Sequence, residues 1–175
     1  MIRLVLGGLA LGVAAVMISL IASPSAAIGP GGGAITWVES TTGAAGITVL
    51  AVDVLRAIAT TASAAAGGCG GLFVPFLAIG DLAGRAFAPY LEIPSDLAGA
   101  AGAAAGISGG YHLPLTAAAL VLSQGGPRFA VLTSLAGVVV AAFAGNASAK
   151  LLDRILSLTP GLAKKPVIEE DPYSF

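Results

Sequence analysis

Charge is the first thing this chain has little of. Only 10% of its 175 residues are Asp, Glu, Lys or Arg, against roughly 25% in an average soluble domain. Hydrophobic residues make up 57%, and the mean hydropathy is +0.96. So few charges cannot cover a water-exposed surface. Eight basic and nine acidic residues leave a net charge of −1, so there is no basic face to neutralise phosphates. With three tyrosines and one tryptophan there is little for bases to stack on, and nucleic-acid binding is excluded. Cys69 is the only cysteine, which removes any intrachain disulfide and any thiolate zinc cluster. The lone His112 cannot complete a histidine metal site. No nucleophile, base and orienting group stand at a recognisable spacing, so an enzyme is the least supported class and no metal or cofactor is expected.

What the chain does have is long stretches free of charge: residues 4–38, 57–80, 97–127 and 129–149. Each exceeds the ~18–20 residues a helix needs to cross a bilayer. The composition therefore predicts an all-α, polytopic membrane protein with the lipid bilayer as its first partner. Leu4 to Ala22 admits two readings on these grounds. Small residues at Ser23, Ser25, Ala26 and Ala27 fit a secretory leader with its cleavage point. The run is long for a leader, however, and Gly8 and Gly12 form a small-xxx-small pair suited to close helix packing in lipid.

Further along, Pro24 and the run from Gly29 to Gly33 end the first helix. Residues 34–42 are too short to span, and they hold Trp37 and Glu39 as an interfacial or partly buried segment would. A helix is predicted from about Ala44 to Ala66, with Asp53 and Arg56 on one face, and another from Phe73 to Ala88, with Asp81 and Arg85 four apart. Charges at that depth are costly, so each pair is expected to be neutralised internally. Pro89, Glu92, Pro94 and Asp96 predict a loop. Two short segments follow, Leu97–Ile107 and Leu113–Leu122, split at Ser108-Gly109-Gly110, where Tyr111 and His112 read as loop residues without an acidic neighbour. A longer run from Phe129 leads through Gly145-Asn146 into Ser148–Leu158. Residues 1–158 thus form the membrane domain and 159–175 a solvated tail. Lys150, Arg154, Lys164 and Lys165 put the C-terminus on the cytoplasmic side, in a plasma or inner membrane.

The sharpest candidate site is Gly67-Gly68-Cys69-Gly70-Gly71-Leu72-Phe73-Val74-Pro75, a glycine-rich stretch opening a helix. Glycines let backbone approach a ligand closely, and a helix start offers unpartnered N–H groups with the positive end of the dipole. Together they can hold an anion without a basic side chain, loosely enough to release it. Tight helix packing is the other use of such a stretch.

Gly70 to Pro75 resembles the G-x-F-x-P signature of the CLC chloride channels and chloride/proton exchangers. The likeness continues through Leu6 to Leu9, Gly31 to Gly33, Arg56 with Thr60, Ala98 to Gly109, Pro114-Leu115-Thr116 and Leu120-Val121-Leu122. From about Leu4 to Leu158 the chain is similar, in order, to the second, C-terminal repeat of that family. The resemblance implies half of an inverted-repeat fold with short broken helices, and it makes the first run a family helix rather than a leader. It also implies a chloride site at Gly70, Gly71, Leu72, Phe73, Val74 and Pro75, with the amides of Leu72 and Phe73 on the ion. Ser148, near the start of the last helix, stands where the family has a chloride-coordinating tyrosine, and Ser123-Gln124 where an acidic residue often follows. The first repeat, with its glycine-serine-glycine segment and gating glutamate, has no counterpart here. An N-terminal half-subunit is therefore an expected partner, together with a second copy docking along Pro114 to Phe143. Other readings are a truncated remnant, a small structural membrane protein without transport, and a glycine- and alanine-rich secreted protein.

Overall fold

The computed structural model describes residues 2–41, 46–68, 70–125 and 132–158, and all regular structure among them is helical. In chain order the helices are α1 (Ile2–Ile21), α2 (Pro24–Ala27), α3 (Gly32–Ser40), α4 (Gly46–Ala65), α5 (Phe73–Leu91), α6 (Ser95–Tyr111), α7 (Pro114–Gly125) and α8 (Leu132–Ser157). Three of them, α1, α4 and α8, are long and apolar enough to cross a membrane. Exposed leucines, valines and isoleucines along α1 and α8 suit lipid rather than water. The chain is an all-α, integral membrane protein. Cys69 and the tail from residue 159 onward lie outside the described residues.

Local chemistry sets most boundaries. Ser23 caps α2, its hydroxyl accepting from the Ala26 amide at 3.2 Å, and Pro24 fills the first helical position, where its missing N–H costs nothing. Gly29 at φ +79° and Gly31 at φ +141° make the turn into α3, conformations closed to most L-residues. Pro89 does not open a loop as its position suggests. It sits within the last turn of α5, which runs on to Leu91 and ends at Glu92 in the left-handed region, with Pro94 barring continuation. The break expected at Ser108-Gly109-Gly110 is likewise displaced. α6 passes through those glycines to Tyr111 and ends at His112, φ 58°, whose amide bonds the Ser108 carbonyl. Packing overrides glycine's weak helix propensity there, because an added Cβ on Gly110 falls against the ring of Phe76.

α5 lies between two apolar cores. One is built around Ala104, Ile107, Ala117, Val138 and Ala142 of α6, α7 and α8, with Phe73 and Leu77 of α5 packed on it. The other gathers Ile18, Ala26, Ala34, Val49, Val52, Leu82 and Ala86 from α1 to α5. Glycines bring α5 and α6 into backbone contact: a Cβ on Gly80, Gly84 or Gly102 strikes the carbonyl of the facing helix. In lipid, where no hydrophobic force drives helices together, such close approach is the main source of packing energy. The Gly8 and Gly12 pair is not used this way among the described residues. α1 meets α4 through Gly7, against Ala62 and Ala66, while Gly8 and Gly12 face open space.

Candidate functional site

Between the two cores the N-terminal end of α5 is left open. Gly70 and Gly71 are exposed, and a Cβ added to either would meet open space. Leu72 is the N-cap residue at φ −81°, ψ −5°, and no side chain caps the helix. Its carbonyl accepts the Phe76 amide at 3.0 Å, so the amides of Phe73 and Val74 precede the first intrahelical bond and lack an acceptor in the helix. Pro75, in the third helical position, has no N–H to leave unsatisfied. Leu72 and Val74 are exposed, and Phe73 and Pro75 half-buried. Six residues picked out from sequence therefore form one helix start that carries positive potential and no side-chain charge.

A cavity of about 200 Å³ opens beside this start, lined among others by Gly70, Gly71, Leu72, Gly29, Thr60 and Arg56. Burial of Asp53 and Arg56 agrees with their expected placement, but their pairing does not: the ion pairs among the described residues belong to Arg85 and His112. Arg56 instead donates from Nη1 to the Ala26 carbonyl and from Nη2 to the Gly29 carbonyl at 2.8 Å. Three residues is one helical turn, close enough to share a face. The longer Arg56 side chain nevertheless reaches the carbonyls at the end of α2, and Asp53 Oδ1 keeps no hydrogen-bond partner.

Asp81 and Arg85 do pair, Arg85 Nε donating to Asp81 Oδ2 at 2.7 Å with both side chains 8% exposed. Two further carboxylates join them. Arg85 Nη1 reaches Asp96 of α6 and Nη2 reaches Glu39 of α3, each at 3.1 Å. One guanidinium thus fastens α3 and α6 to α5, beside a second cavity of about 390 Å³ that Gln124 also lines. The i,i+4 spacing made the first contact legible, whereas Glu39 and Asp96 lie 46 and 11 residues away in sequence and nothing local joins them.

At the α5 start the Tyr111 ring packs on Phe73 and Phe76, with centroids 5.8 and 6.0 Å apart. His112 does have an acidic neighbour, contrary to its reading as an isolated loop residue. Its Nε2 is 3.8 Å from Asp153 Oδ2, and its Nδ1 bonds Asn146 Oδ1 at 3.2 Å, both on α8. The tertiary fold supplies that neighbour by laying α8 across the end of α6. Ser148 does not stand near the start of a separate last helix. α8 is continuous through Gly145 and Asn146, so Ser148 lies in its C-terminal half, exposed, and is not among the residues lining the cavity at the α5 start.

No curated protein and no solved structure matches the chain. A family model described as voltage gated chloride channel matches residues 1–147, a span that takes in α1 to α7, the α5 start and most of α8. The match covers well over half of the 175 residues, and its members' business is chloride transport. An open glycine-rich helix start in an all-α membrane fold belongs with that assignment: the chain is a member of the voltage-gated chloride channel family.

Proposed function

We propose that the chain is the C-terminal repeat of a chloride channel or exchanger and carries chloride together with an N-terminal half. That half comes either from a second chain or from a longer polypeptide of which this sequence is a part. The amides of Leu72 and Phe73, presented by Gly70, Gly71, Val74 and Pro75, bind the ion, and the Ser148 hydroxyl contributes once the other half is in place. Assembled halves pair as a homodimer along Pro114 to Phe143, in a plasma or inner membrane with the C-terminus cytoplasmic.

The observation that carries this reading is the exposure of the α5 start. Gly70, Gly71, Leu72 and Val74 are exposed, and the first-turn amides have no acceptor in the helix. Each backbone group left unsatisfied in lipid costs on the order of several kcal/mol. A partner that closes the site around a hydrated or bound anion removes that cost. The Arg85 network and the backbone-close α5–α6 crossing support it further, since they hold the helix rigid behind its open end.

Purification from the native membrane in mild detergent through a C-terminal tag, with intact masses of everything retained, tests the reading. A companion carrying a glycine-serine-glycine segment and a glutamate-bearing segment is expected, and the pair should move chloride in liposomes. A chain recovered alone, inert to chloride in liposomes, refutes it and leaves a structural membrane protein or a remnant.

A further inference from the structure

We propose that His112 is a proton-operated latch that fastens the end of α6 to α8 and thereby holds Tyr111 against the first turn of α5. Nothing in the device requires chloride, so it stands apart from the reading above. His112 is the one histidine of the chain, and imidazole is the side chain whose ordinary titration falls between about pH 5 and 8. Both of its nitrogens face α8: Nδ1 lies 3.2 Å from Asn146 Oδ1, and Nε2 lies 3.8 Å from Asp153 Oδ2. Asn146 can serve either form of the ring, offering its oxygen to an N–H or, turned over, its amide group to a bare nitrogen. Asp153 tells the two forms apart, because only the imidazolium meets the carboxylate with opposite charge. The His112 and Asp153 side chains are 45% and 69% exposed, so a proton reaches the ring without any opening of the fold.

The ring sits where a charge acts on the backbone. His112 is the C-cap of α6 at φ 58°, ψ 30°, with its amide on the Ser108 carbonyl, and the negative end of the helix dipole favours a cation there. The left-handed region is costly for a residue with a Cβ, so this end of α6 keeps its shape only while a neighbour holds it. α8 is that neighbour: a Cβ on Gly145 would strike the Ala105 backbone, and one on Gly109 would touch Gly145 and Ala149. Tyr111, one residue before the latch, lays its ring on Phe73 and Phe76 of the first α5 turn. The other charges nearby on α8 are Lys150 and Arg154, both exposed and both opposed to an imidazolium, whereas Asp153 is the residue that pairs with the ring. The first turn of α5 and the whole of α7 bring no titratable group, and the acid of α6, Asp96, lies at its far end.

Hydrogen–deuterium exchange of the full chain, purified from membranes with whatever partner it retains, tests the latch. It is read at about pH 6 and about pH 8, at one fixed concentration of sodium chloride, with rates corrected for the pH dependence of the chemical step. Protection of residues 108–113 and of residues 76–80 should be about two- to tenfold greater at the lower pH, the factor that an exposed ion pair and a helix terminus together supply. His112→Asn keeps a polar side chain and a residue that tolerates the left-handed region, but it has no proton to gain, and the difference should vanish in both segments. Asp153→Asn keeps the imidazole and removes its counter-charge, and should reduce the difference by at least about half. Equal protection at the two pH values in the wild type overturns the proposal, as does a wild-type difference that persists in either variant. A difference confined to residues 108–113 overturns it as well, because Tyr111 then passes nothing on to α5. Should His112→Asn not be monodisperse, the comparison with Asp153→Asn decides alone. Chloride binding and flux enter none of these readouts, so failure here leaves the chloride reading where it stood.

Discussion

Backbone ligands are hard to test by mutation, but the conformation of Leu72 permits it. Its φ of −81° is close to the −65 ± 15° that proline enforces, and no backbone bond from its amide is found among the described residues. Gly71, which precedes it, has no Cβ to clash with a proline ring and so can take up the extended conformations that proline favours in its neighbour. Leu72→Pro therefore deletes one N–H at the N-cap and changes little else in the fold. A hydrogen bond to a charged partner contributes about 1.5–3 kcal/mol, which is roughly a ten- to 150-fold loss of chloride affinity. Leu72→Ala retains the amide and isolates the share owed to the side chain, which is 36% exposed. The assay is chloride calorimetry on the purified protein, followed by flux in liposomes. A Leu72→Pro variant that melts like wild type and binds chloride as tightly as Leu72→Ala refutes the placement of chloride on this amide.

Five further substitutions, Gly12→Val among them as a control, probe what holds the site in place, each read by melting in detergent with Trp37 fluorescence as the probe. Arg85→Met leaves the Asp81 carboxylate buried without its counter-charge and should cost about 3–5 kcal/mol. Glu39→Gln, at a side chain 53% exposed, should cost no more than about 1 kcal/mol. Gly102→Val drives a side chain into the Gly80 carbonyl and should destabilise by about 1–3 kcal/mol or more, whereas Gly12→Val, facing open space, should stay within about 0.5 kcal/mol. Gly29→Ala has room for its methyl group but must hold φ +79°, costing about 1–2 kcal/mol. It should also loosen the carbonyl that Arg56 Nη2 grips, which weakened protease resistance of the α2–α3 turn would report.

Much of this molecule was legible without coordinates. Charge-free stretches longer than a bilayer allow no other solvent than lipid, and lipid allows backbone no structure here but helix. The position of α4 and the start of α5 followed from apolar runs bounded by glycine and proline. The helix start at Leu72 and Phe73 was readable because its chemistry is backbone chemistry, written locally by Gly70, Gly71 and Pro75.

Side chains that act across the fold were not readable in that way. Asp53 and Arg56 share a face by spacing, yet their partners are chosen by what packs against that face. For Arg56 these are the carbonyls of Ala26 and Gly29, 30 and 27 residues earlier. His112 looked isolated until α8 brought Asn146 and Asp153 to it. Ser108, Gly109 and Gly110 look like a break in isolation, but packing on Phe76 keeps them helical. Sequence by itself determined the solvent, the helices and the polar start of α5, because hydrophobicity and backbone conformation are local properties. Only the tertiary structure decided that Arg85 gathers Glu39, Asp81 and Asp96 and that Arg56 faces the cavity beside Leu72, because a charge in a low-dielectric interior takes the partners that packing places within reach.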